Sequence, residues 1–301
     1  MVFLAPIVLA GLTYWRAGKP NNVVVKPTPG YALMGGGTDI DEAFQWMCQL
    51  SNRGDFLVLR ASGTDAYNPY IAKLCPDENS VATLLLPSRE AALDPAAARD
   101  IDAAAAIFIA GGDQSNYVNF WAGTPVQRAL NAAIARGVPI GGTSAGLALL
   151  GEYGYSAQND RPNGPDLTGA AALANPFDPQ IVIERGFVHI PALRGVIFDT
   201  HFHTRNRMGR LLAFLARNPH LRGIGVDQQT ALLMTPDGQS RVVGIGAVYM
   251  LSPVAKQKGT ICQPGRPLTL IALPVVKRTR GQPDTHYTLT VTQGNISPPV
   301  Y

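Results

Sequence analysis

The chain has 301 residues, 46% of them hydrophobic and only 15% charged, which is enough apolar material to bury a substantial core. Lys and Arg exceed Asp and Glu by 25 to 21, a net charge of +4. No basic stripe with interleaved aromatics accompanies that excess, so nucleic-acid binding is not expected. The three cysteines show neither CxxC spacing nor histidine pairing, so a zinc site is not expected. Cys48 and Cys75 could form one disulfide in an oxidising compartment.

Taken in chain order, residues 1–12 resemble the apolar core of a signal peptide but lack a basic start, and the run is too short to span a membrane. No membrane association is expected. An ordered strand is the other reading, and export is left open, with Asn295-Ile296-Ser297 compatible with it. Residues 8–26 read as a hairpin, Leu12-Thr13-Tyr14-Trp15 pairing with Val23-Val24-Val25 across Gly18-Lys19-Pro20-Asn21-Asn22. From about residue 30, short apolar runs alternate with helical segments. Strands are expected at 31–34, 55–60, 81–86, 104–110 and 138–140, with a helix over 126–135 capped by Gly137. Such alternation predicts an α/β fold whose mostly parallel sheet is covered on both faces. From Arg241 onward, β-branched residues, Pro and Gly predict further strands packed on the main sheet.

Ligands of parallel sheets bind beyond the carboxyl ends of strands. Three glycine-rich turns fall at such ends: Gly35–Gly37, Gly111-Gly112-Asp113-Gln114, and Gly142-Thr143-Ser144-Ala145-Gly146. The last reads Gly-x-Ser-x-Gly after a strand. There a serine sits on a sharp turn with its hydroxyl exposed, and the backbone N–H groups that follow can stabilise an oxyanion. A serine nucleophile needs a base, and His201 is the best-placed of the five histidines, at the end of the strand Gly195-Val196-Ile197-Phe198. His203 is an alternative base or a surface residue. Serine chemistry of this kind calls for no metal and no organic cofactor. Arg205, Arg207 and Arg210 cluster in the loop and first helical turn beside His201. Cations there oppose the helix dipole, so an anionic partner is expected, such as a substrate carboxylate.

With these segments in order, the chain resembles the cyanophycinases and related serine peptidases of peptidase family S51, which also contains aspartyl dipeptidase. The resemblance rests on Gly35-Gly36-Gly37, Gly111-Gly112-Asp113-Gln114, Gly141-Gly142-Thr143-Ser144-Ala145-Gly146, Asp199-Thr200-His201-Phe202 with Arg205 to Leu211, and Gly223-Ile224-Gly225-Val226-Asp227. It implies a three-layer, flavodoxin-like fold of the class I glutamine amidotransferase type. The chain then forms a single domain over 1–301: an N-terminal hairpin over 1–27, a family-like core over 28–255 and a β-rich extension over 256–301. The resemblance also implies Ser144 as nucleophile, His201 as base, and oxyanion donors at Ala145 and near Gly112. Gln114, Asp199, Thr200, Arg205, Arg207 and Arg210 would contact substrate. The implied substrate is cyanophycin, a polyaspartate carrying arginines on its side chains, cleaved to β-Asp-Arg dipeptides. A homodimer is left open.

Two positions depart from the family pattern. Cyanophycinases carry a glutamate after the motif aspartate, whereas Asp227 is followed here by Gln228. An amide can orient a neutral histidine but does not stabilise an imidazolium by charge. Either Gln228 serves at the acid position, or Asp227 or another carboxylate substitutes, or the protein is a slow enzyme or a binding descendant. The family's glutamine before the base is Thr200, which bears on substrate identity more than on hydrolysis. The order Ser144, His201, then position 227 or 228 differs from that of α/β-hydrolases and disfavours a small-ester hydrolase.

Overall fold

A computed structural model describes residues 7–9, 11–160, 166–254 and 259–301. Its strands are β1 (Ile7–Leu9), β2 (Leu12–Gly18), β3 (Tyr31–Met34), β4 (Asp55–Arg60), β5 (Ser80–Leu85), β6 (Ala106–Ile109), β7 (Ile140–Thr143), β8 (Tyr153–Tyr155) and β9 (Ile183–Arg185). They continue with β10 (Val196–Asp199), β11 (Arg222–Val226), β12 (Thr230–Met234), β13 (Ser240–Gly244), β14 (Ala247–Leu251), β15 (Leu270–Thr279), β16 (Thr285–Thr292) and β17 (Asn295–Ser297). Among the described residues, no helix is long and apolar enough to cross a membrane.

The strands form two sheets. The first runs β1-β2-β5-β4-β6-β7-β3-β12-β13, and its five central strands are parallel. Alternation along these strands sends side chains into two different cores. Ala32, Met34, Phe56, Val58, Ala106 and Phe108 pack with Phe44, Met47 and Ile71 on one face. Tyr31, Leu33, Leu57, Leu59, Ile107 and Ile109 pack with Leu130, Ala133 and Ile134 on the other. This is the period-two signature of a sheet covered on both sides.

The helices on those faces follow from local chemistry. Helix Asp41–Ser51 opens on Asp41 and Glu42, which suit the positive end of its dipole, and buries Ala43, Phe44 and Met47 at helical spacing. Helix Pro125–Ala135 starts on a proline that has no N–H to leave unpaired, and buries Val126, Ala129, Leu130, Ala133 and Ile134. A disulfide joins Cys48 in the first helix to Cys75, just beyond helix Tyr67–Leu74, with Cα atoms 6.2 Å apart.

The expected single, mostly parallel sheet is therefore corrected: a second sheet is present, ordered β17-β16-β15-β14-β11-β10-β8-β9. Only its β8-β10-β11 part is parallel, and the strands after residue 246 extend it antiparallel from β11. The sequence there lacks helical segments between strands, so hairpin connections rather than crossovers join them. The expected N-terminal hairpin is likewise corrected. Residues 12–18 pair with β5, not with 23–25, and Val24 is fully exposed. The long-range ion pair between buried Arg16 and Asp55, 2.7 Å, decides this. Arg16 also binds the carbonyls of Lys19 and Asn21, and Val23 N–H donates to Asp55, so the segment wraps this pair instead of forming a strand. Most of the apolar 1–12 run lies outside the described residues.

Candidate active site

The two sheets meet where β3 ends in Gly35-Gly36-Gly37. Ser144 follows β7 of the first sheet, His201 follows β10 of the second, and Gln228 lies on the connection from β11 to β12 that passes between them. Three successive carbonyls, from Met34 at the end of β3 to Gly36, hold the backbone at Ser144, at His201 and just after Gln228. Met34 O accepts from Ser144 N (3.2 Å), Gly35 O from His201 N (2.7 Å) and Gly36 O from Gln229 N (2.8 Å). A Cβ on Gly36 would stand 2.5 Å from the His201 ring, so only glycine leaves room for the imidazole.

Ser144 has φ +53° and ψ −118°, a conformation that side-chain-bearing residues rarely adopt. His201 is also left-handed, at φ +49°. Each such residue costs about 1–3 kcal/mol, which the surrounding packing must offset. The elbow is tight enough that a Cβ on Gly146 would lie 2.0 Å from the Ile109 carbonyl oxygen, which explains the second motif glycine.

The Ser144 Oγ is 2.7 Å from His201 Nε2, and the Gln228 amide nitrogen is 2.6 Å from His201 Nδ1. With the amide NH₂ donating to Nδ1, the ring proton sits on Nε2 and faces the serine. With the amide turned about its last torsion, Oε1 accepts from Nδ1–H, and Nε2 is free to accept from Ser144 O–H. Amide oxygen and nitrogen have nearly the same shape, so both arrangements fit the same packing. Only the second presents a base to the serine. His201 is buried, and burial, followed by the charges of Arg205 and Arg207, pushes its pKa down to about 4. The imidazole is neutral at pH 7.

Asp227 is turned away from the ring: its two oxygens accept from His203 N and Ala247 N, both at 2.9 Å. His203 is exposed and stacks on Tyr301 with ring centroids 4.5 Å apart.

A cavity of about 510 Å³ opens in front of Ser144. Gly112, Gln114, Thr200, Arg205, Arg207 and Arg210 all line it. Gln114 begins helix Gln114–Trp121, whose cap is Asp113 accepting from Ser115 N at 2.8 Å. Ala145 begins the short helix Ala145–Ala148 directly after Ser144. Asp199 lies behind the cavity wall, where both its oxygens accept from Arg210 (2.6 and 2.9 Å), and both side chains are almost fully buried. The charge opposite Arg210 is therefore the protein's own. Arg207 donates to the Thr200 carbonyl at 2.9 Å, and burial pushes its pKa down to about 10.

Six cavity residues have no sequence signal of their own: Ser115, Tyr155, Ala157, Gln158, Asp160 and Asp166. Tyr155 donates to Asp160, and the Arg210 guanidinium lies 4.8 Å over the Tyr155 ring. Burial raises the pKa of Asp160. Asp166 accepts from Arg205 and Arg207, both at 2.9 Å. A polar run beyond the strand that follows the Ser144 elbow is the one feature that could have marked this wall. A second cavity of about 470 Å³, beside the Cys48–Cys75 disulfide, holds no nucleophile–base pair.

The model of peptidase family S51 matches residues 33–242. The chain is similar to a cyanophycinase of Trichormus variabilis, 32% identical over 154 residues that make up 51% of this chain and 47% of that one. It is also similar to a cyanophycinase of Geminocystis herdmanii, 34% identical over 152 residues, 50% of each chain. The match thus spans about half the length of these curated relatives. Among solved structures, a peptidase from an acI-B1 Actinobacterium shares the fold, with a TM-score of 0.55 at 18% identity over 87% of this chain and 98% of that one. Since the family model covers more than two thirds of its length, a stretch that includes Ser144 and His201, the chain belongs to peptidase family S51 and is a serine peptidase.

Proposed function

We propose that this serine peptidase hydrolyses β-aspartyl, isopeptide-type bonds, with cyanophycin as the first substrate and β-Asp-Arg dipeptides as products. The observation that carries the reading is the 2.7 Å contact between Ser144 Oγ and a neutral, buried His201 in front of an arginine-lined cavity. Ser144 Oγ attacks the scissile carbonyl as its proton passes to His201 Nε2. The oxyanion is met by the N–H groups of Ala145 and Gly112. The C–N bond breaks, and His201 returns the proton to the leaving amine. Water then attacks the acyl-enzyme, giving its proton to His201 and releasing the acid and Ser144.

In this reading Gln228 occupies the acid position and fixes the ring through Oε1. It does not balance the imidazolium charge, so the histidine is a weaker proton acceptor than one backed by a carboxylate. Gln114, Thr200 and the three arginines bind the substrate's polar groups, and Asp199 keeps Arg210 in place.

The test is mass spectrometry of products after wild type and Ser144→Ala are incubated with purified cyanophycin. The expected outcome is β-Asp-Arg from wild type alone. Release by both proteins would remove Ser144 from the mechanism. Gln228 itself favours a second reading, a binding protein on the same fold that has lost its triad acid. In that case wild type releases nothing, and Gln228→Glu creates activity.

A further inference from the structure

The three cleft arginines have counter-ions of two different kinds. Arg210 is held by Asp199, and their side chains are only 4% and 2% exposed. This pair is part of the core. Arg205 and Arg207 instead converge on one oxygen of Asp166, each at 2.9 Å, and the Asp166 side chain is 57% exposed. Arg207 is itself buried, at 8% exposure, and has a second carboxylate near it, the buried Asp199 at 3.6 Å, so part of its charge stays compensated when Asp166 leaves. Two guanidinium N–H groups meeting at one point form a seat for a carboxylate oxygen. In this structure the seat is filled by the chain's own carboxylate, which can swing into solvent at little cost, because exposed ion pairs contribute little.

We propose that Asp166 is a displaceable counter-ion that holds this seat until a substrate carboxylate takes it, and so tempers the cleft's affinity for carboxylate-bearing ligands. The proposal rests on reading the arginine-lined cavity as the substrate cleft. A ligand with a carboxylate recovers both arginine contacts on displacing Asp166. A neutral isostere leaves Asp166 in place and gains nothing there. Asp166 therefore weakens binding of every carboxylate, and in return keeps Arg205 and Arg207 paired in the empty cleft.

The experiment is calorimetric titration of succinate, and of uncharged succinamide, into the full chain carrying Ser144→Ala, with and without Asp166→Asn. Removing the competing charge should tighten succinate about three- to tenfold, because Asp166 and Arg205 are both exposed and their pairing is weak, and leave succinamide unchanged. Asp166→Ser should behave as Asp166→Asn does, which separates the charge effect from any local misfolding. Unchanged or weaker succinate binding, equal tightening of succinamide, or no succinate binding to any of the proteins would each overturn the proposal. Stronger binding of arginine amide by the parent than by Asp166→Asn would make Asp166 a cation seat and also overturn it. Binding is read without turnover, so a failure to hydrolyse cyanophycin leaves this result standing on its own.

Discussion

The half of the candidate site around Ser144 and the half around His201 are built on different sheets and by different means. Around Ser144 the first sheet uses backbone: a left-handed serine, glycines that no Cβ could replace, and carbonyls of the β3 turn. Around His201 the second sheet uses charge: a buried Arg210–Asp199 pair, a half-open Arg205–Asp166–Arg207 fork and an amide against the ring. The difference teaches that the first half is fixed by steric exclusion, and the second by ions whose partners come from distant segments. Steric exclusion tolerates almost no substitution. Charge pairing can be retuned.

Substitutions that touch one half should therefore fail in different ways. Ser144→Ala removes the attacking atom and should lower turnover by roughly 10⁴-fold or more with unchanged thermal stability, measured as product release beside a melting curve. Asp199→Asn leaves a buried guanidinium without its charge and should cost about 3–5 kcal/mol of stability by urea unfolding, a loss of folding before a loss of chemistry. Gly36→Ala drives a Cβ into the imidazole and should lower kcat/KM about 100-fold, because an ångström of misplacement is enough to do so.

The smallest effect is on pH. A depressed His201 pKa favours the neutral ring, so the base remains available as pH falls and is lost only near pH 4. The acid limb of kcat/KM for wild type should lie there. Gln228→Glu puts a carboxylate beside Nδ1, favours the charged ring and should move that limb up toward the ordinary histidine value of about 6.5. A limb that does not move would mean that position 228 does not face His201.

The same division explains what could be read from the sequence. Gly-x-Ser-x-Gly and the Gly35–Gly37 turn are local, since backbone geometry writes itself into adjacent glycines. The strand-end position of His201 was legible for the same reason. Family membership also followed from the order of these short segments. Asp166 and Tyr155 are not legible, because nothing in their own neighbourhoods announces the distant arginines they meet. Arg210 is legible as a cleft residue, but its pairing with Asp199 is not, because that depends on a helix face meeting a strand end. The N-terminal segment failed in the same manner: its turn residues suggested a hairpin, and the Arg16–Asp55 pair across the fold overrode them. The second sheet was missed because strands without intervening helices gave no sign of which edge they would join.

The central claim is that a serine on one sheet is activated by a histidine on the other. Its most direct test is to treat the protein with a fluorophosphonate and map the adduct by tandem mass spectrometry in wild type and His201→Ala. The account predicts a single adduct on Ser144 in wild type and almost none in the variant. Labelling elsewhere, or equal labelling of Ser144 without His201, would contradict it.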